Sequence, residues 1–184
     1  MQLRDNGLGF SPITLVLHWI GAFLVFTIIA IELVRHNAAP GSTTPGLIHF
    51  ENALGLALFF VSSYRFWARL TSFHPLPLGT PNPVEVIVSR SVAVALTLAG
   101  VLLPIAAWLS KSAGGETIGL PAGLALPSLV SPDAGVKRVV DVLFTIGSSA
   151  FLAGLALHVF GALKNHLILK NDALRRMCGK KVEL

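Results

Sequence analysis

The chain has 184 residues, 53% hydrophobic and only 12% charged, with a formal net charge of +5 and a mean hydropathy of +0.73. A soluble domain of this size carries about a quarter charged residues, so the composition excludes an ordinary soluble domain and points to the membrane. The single cysteine, Cys178, excludes a disulfide framework within the chain.

The N-terminal stretch "MQLRDNGLGFSPITLVLHWIG" has no small-residue cleavage site after a short apolar core. It reads as a retained helix rather than a signal peptide. A spanning helix needs about 20 mostly apolar residues. Four windows meet that requirement, at 13–34, 47–67, 84–109 and 139–169. Between them stand "AAPGSTTPG", "HPLPLGTPNP" and "KSAGGETIGLPAGLALPSLVSPDAG", all rich in helix breakers. Only the last linker is long. Its apolar part is too broken by Pro and Gly to span, and it is expected at the membrane surface. Pro104 lies inside the third span, where a kink is expected. Residues 170–184 form a basic tail. The expected architecture is all-α: one integral membrane four-helix bundle covering 1–184.

Four spans place both termini on one side. That side collects Arg4, Arg65, Arg69, Arg90, Lys164, Lys170, Arg175, Arg176, Lys180 and Lys181, against Arg35, Lys111, Lys137 and Arg138 on the other. The bias predicts a membrane protein with both termini cytoplasmic. The tail is expected to meet anionic lipid headgroups. Nucleic acid is a poor partner, because the charges cluster only beside a span.

Of the six histidines, His36 and His74 fall in loops and read as surface residues, and His166 reads as interfacial. His18 ("TLVLHWIGAF") and His158 ("GLALHVFGAL") differ, since each is embedded in apolar sequence. An ionisable side chain within the bilayer marks a functional site by default. Both lie roughly 8–9 Å below the inner surface, at 1.5 Å per residue. Two imidazoles at one depth on different helices suit either of two roles. They can clamp the iron of a flat macrocycle in the bundle core, or they can hydrogen-bond between helices.

Several segments together resemble the bacterial cytochrome b561 family of four-helix b-type haem proteins. "LVLHWIGA" is similar to the family's first-helix His-Trp motif. "ALGLALFFVSSYRFWARL" resembles its second helix, and "VLLPIAAWLSKSAGG" its third helix and outer turn. "LALHVFGALKNHLILKNDALRRMCG" resembles its closing segment. The resemblance implies a haem b near the cytoplasmic face, held between helices one and four by His18 and His158. It also implies a second, outer haem, held by a histidine early in helix two and another about four turns before the helix-four ligand. Here those positions carry Glu51 and Phe144. His49 stands two residues before Glu51, which turns its side chain by roughly 200° on a helix. The methionines, Met1 and Met177, lie at the wrong face. One haem per chain is therefore expected, with Phe144 and its neighbours filling the outer site and with Gly147, Ser148 and Ser149 letting the helices close. Glu51 is expected to be solvated or to pair with Lys137 or Arg138.

Arg65 and Arg69 share a helix face four residues apart. They are candidates for bidentate contact with haem propionates, or for snorkelling to the headgroups. Trp19 and Trp67 suit an interfacial or haem-edge role, with the belt favoured for each. The expected function is electron transfer, exchanging electrons with ubiquinone or another membrane carrier on the inner side. Superoxide oxidation is disfavoured without an outer haem. The alternative is a haem-bearing accessory or anchor subunit of a larger respiratory or dehydrogenase complex. A solute transporter is weaker, because no pair of broken helices meets at the midplane.

Overall fold

The computed structural model describes residues 5, 6, 9–39, 41, 44–73, 75 and 82–180. Met1, Arg4, His74 and Lys181 lie outside the described residues. Four long helices account for most of the rest: α1 (Pro12–Asn37), α2 (Pro45–Thr71), α3 (Pro83–Ala113) and α4 (Ala134–Leu163). A π-helical turn, Lys164–Ile168, prolongs α4, and a short helix α5 (Ala173–Met177) follows in the tail. All four long helices are apolar enough to cross a membrane.

Their starting points follow from local chemistry. Proline opens α1, α2 and α3, where its missing N–H removes a donor that would have no helical partner. Ser11 caps α1 by accepting from the Thr14 amide at 3.2 Å. Asn82 caps α3 through the Val84 amide at 2.9 Å. Asp133 caps α4 through the amides of Gly135 and Val136 at 2.7 and 2.9 Å. Such caps satisfy donors that the first turn leaves free. α1, α2 and α3 extend beyond the apolar windows read from sequence at both ends, because helical hydrogen bonding continues into polar flanks, whereas α4 starts earlier than its window, at Ala134, and ends at Leu163, inside it. α3 runs through Pro104 as one helix.

The helices pack in chain order, α1 on α2, α2 on α3 and α3 on α4, whereas α1 and α4 scarcely touch. The α2–α3 contact is tight: Gly100 lies against Ser62, and a side chain at 100 would overlap the serine. Small residues of this kind let backbones approach where lipid provides no hydrophobic drive. Few side chains are buried within the bundle. Phe23, Phe60 and Phe160 are 69%, 62% and 62% exposed, as expected of faces covered by acyl chains.

The long linker departs from an all-helical description. Two-residue strands β1 (Ile118–Gly119) and β2 (Ala125–Leu126) pair antiparallel across a turn in which Ala122 and Gly123 adopt φ of 61° and 75°. Asn52 donates to the Gly119 carbonyl at 2.8 Å. Trp108 Nε1 donates to the Pro127 carbonyl at 2.8 Å. The Leu129 amide donates to Ser112 Oγ at 3.1 Å. The linker is thus a folded cap on the ends of α2 and α3 that lie opposite the termini.

Candidate functional site

The gap between α1 and α4 is bridged near the terminal end by two imidazoles. His18 and His158 stand with ring centres 6.2 Å apart and planes inclined at 59°. This separation can be compared with a shared metal. A metal–imidazole nitrogen bond is about 2 Å long, and the nitrogen lies about 1.1 Å from its ring centre, so two rings on opposite sides of one metal have centres roughly 6.2 Å apart. The observed ring spacing would allow both imidazoles to hold one iron. Among the described residues, no group of three or more His, Cys, Asp or Glu side chains could hold a metal ion. The donor set is a histidine pair, which suits an iron whose four other positions a macrocycle fills.

Arg65 reaches the same point from α2. Its Nη2 lies 3.3 Å from Nδ1 of His18. Gly21, on α1 one turn beyond His18, makes room for it, since a Cβ there would fall 3.1 Å from Arg65 Nη1. Arginine offers only donors, so His18 meets it with an unprotonated Nδ1. Arg69, its helical neighbour, goes elsewhere: its Nη2 donates to the Arg90 carbonyl of α3 at 3.5 Å. The structure thus places Arg65 with the histidines and directs Arg69 to α3. Trp19 has a second role that its belt-like sequence position does not reveal. Its ring meets His18 edge-on with centres 5.4 Å apart, and its Nε1 donates to the Met177 carbonyl at 2.9 Å. That bond fastens α5 to the helix carrying the ligand. Arg176 lies over the Phe10 ring, 5.6 Å from its centre, and adds to the same attachment.

The opposite half of the bundle overturns two expectations. Glu51 pairs with neither Lys137 nor Arg138. It binds Arg35 at 2.6 Å, because α1 packs beside α2 and brings Arg35 within reach, while Lys137 is taken by Asp141 one turn away at 2.7 Å. Arg35 also reaches Glu32 at 2.9 Å. Phe144, Ser148 and their neighbours do not fill the outer site. They line a cavity of about 840 Å³ to which all four helices contribute. Phe144 stays on the wall because α1 and α4 do not close on each other. His36 also lines this cavity. The His49 ring lies against Gly119 of the cap, where even a methyl group would overlap it. His166 sits in the π-helical turn. Sequence reading missed Gly21, whose signal was a small residue one turn from a candidate ligand, and Arg35, which it treated only as a charge closing the first span.

Residues 9–180 match the family described as prokaryotic cytochrome b561. The chain is similar to cytochrome b561 homolog 2 of Escherichia coli (strain K12), with 27% identity over 98% of this chain and 96% of that protein. With four apolar helices and a histidine pair spaced for one iron, the chain belongs to the prokaryotic cytochrome b561 family of multi-pass membrane proteins that bind b-type haem and transfer electrons.

Proposed function

We propose that this chain carries one bis-histidine haem b near the cytoplasmic face of the bacterial inner membrane and exchanges electrons with the quinone pool. The 6.2 Å separation of the His18 and His158 rings supports the ligand assignment. The replacement of both outer ligand positions, by Phe144 and by an Arg35-bound Glu51, supports the single haem. The basic bias toward the terminal side supports the orientation, and the tail's Arg175, Arg176 and Lys180 suit anionic headgroups.

When bound, haem would supply one-electron exchange, and His18 and His158 would be the residues that hold it. The protein's residues set the conditions for that exchange. His18 and His158 fix the ring plane between α1 and α4. If His18 held the iron, its other ring nitrogen would carry the proton, and Arg65, now 3.3 Å from Nδ1, would be available for a charge-assisted bond to a carboxylate of the cofactor. A positive charge held in this apolar setting stabilises the electron-rich state of the site.

The test is the haem-to-protein ratio of the purified chain, followed by mixing with a quinol. One haem per chain and prompt reduction are expected. Two haems would overturn the single-haem reading. A haem that quinol leaves oxidised would overturn the quinone linkage and leave an accessory subunit as the surviving alternative.

A further inference from the structure

The cavity in the outer half has a chemistry of its own. At about 840 Å³ it falls within the range of small-molecule sites. Its walls are apolar, with Val25, Ile29, Leu56, Phe59, Leu103 and Phe151. Its rim toward the cap is polar. Arg35 and Lys111 line it there with Glu32, Glu51 and Asp141, and Asp141 is already paired with Lys137, so the rim is self-paired and suits a neutral polar head group. One donor on the rim lacks a partner. Arg35 Nε is buried, and among the described residues nothing accepts from it, although the same side chain is ion-paired through Nη1. Buried donors are normally satisfied, so this atom calls for an uncharged acceptor such as a carbonyl oxygen. The side of the cavity between α1 and α4 is not closed by helix packing and gives a lateral way in from the lipid. The cavity reaches Leu152 and Val25, six and seven positions from His158 and His18, or roughly 9–10 Å along the helices.

We propose that this cavity binds a lipid-borne quinone or quinol, with a ring oxygen on Arg35 Nε, the ring among the apolar walls and the isoprenoid tail leaving between α1 and α4. The Glu51 carboxylate on the same rim is an acceptor for a quinol hydroxyl. This rests on the quinone-linked reading above, and moves the exchange site from the inner side expected from sequence to the outer side of the histidine pair.

The probe is a benzoquinone with a ten-carbon tail, titrated against the haem-loaded chain in nanodiscs. Two substitutions isolate the cavity. Gly55 lines it, and a Cβ there meets nothing within 4 Å, so Gly55→Phe starts its side chain in open space and takes up part of the cavity. Arg35→Lys keeps the charge and removes the Nε donor. Each is expected to weaken quinone binding at least tenfold while the chain retains one haem and its spectrum. Unchanged binding in both variants would overturn the proposal. So would a second haem in the unsubstituted chain that Gly55→Phe removes, which would make the cavity a haem site. So would wild-type reduction of the haem by quinol in Gly55→Phe, which leaves the quinone linkage standing with its site elsewhere. If quinone binds in a manner sensitive to both substitutions but quinol never reduces the haem, the site stands and the quinone-linked function fails.

Discussion

The same four helices build the two halves of this bundle, but the halves treat polar side chains in opposite ways. Opposite the termini, charges neutralise one another: Arg35 joins Glu32 and Glu51, Lys137 joins Asp141, and Lys111 lies 3.5 Å from Glu116. At the terminal end, two imidazoles and a guanidinium converge, and among the described residues no carboxylate joins them. Polar groups inside a membrane are retained when they are paired or when they perform a task. The outer half follows the first route throughout. The terminal half follows it at its margin, where Lys164 pairs with Glu85 at 2.8 Å, and departs from it only around His18, His158 and Arg65, the proposed ligand site.

The contrast breaks most completely if an inner ligand is removed. His158→Ala should reduce bound haem from about one per chain to nearly none, measured by haem extraction against protein, with His18→Ala behaving alike. Haem retained by either variant would sink the ligand pair. A second experiment makes the outer half resemble the inner. Phe144→His combined with Glu51→His should raise the ratio toward two, and a ratio that stays at one would show that ligand identity alone does not separate the halves. Next in size is Arg65→Gln. Loss of a charged hydrogen-bonding partner costs about 1.5–3 kcal/mol, so haem affinity should fall by roughly 10- to 100-fold and the midpoint potential should move negative. Arg65→Lys should recover part of the potential shift. Gly100→Ala tests packing in the outer half. Overlap with Ser62 should cost about 1–3 kcal/mol, read as a lower melting temperature, and Ser62→Gly in the same chain should restore it. The smallest effect is expected for Trp19→Phe. It removes the bond to Met177, worth about 0.5–1.5 kcal/mol, and should speed proteolysis near α5 without changing haem content.

The spans and the histidine pair were legible in the sequence because they rest on one-dimensional quantities. Hydropathy marks a span, and counting residues from its charged end gives the depth of His18 and His158. What escaped depends on rotation and distance between helices. Glu51 was assigned the wrong partner because sequence does not say that α1 turns Arg35 toward α2. The outer cavity was expected to be filled because Phe144 is large, but its filling depends on how far α1 stands from α4. The divergence of Arg65 and Arg69 was hidden in the same way: four residues apart on one helix, they look equivalent, yet one meets α1 and the other α3. The β1–β2 cap is too short to show a strand pattern and is held by Asn52 and Trp108 from other elements.

The near absence of packing between α1 and α4 bears on how the protein is made. α1 leaves the ribosome first and α4 last, so the two histidines belong to opposite ends of biosynthesis. An intermediate with fewer than four spans holds His18 but not His158. With the pair as the proposed ligand set, cofactor capture would report that insertion is finished. It would also join the two helices that chain order leaves unjoined, and the membrane would accumulate no loosely held cofactor on half-made chains.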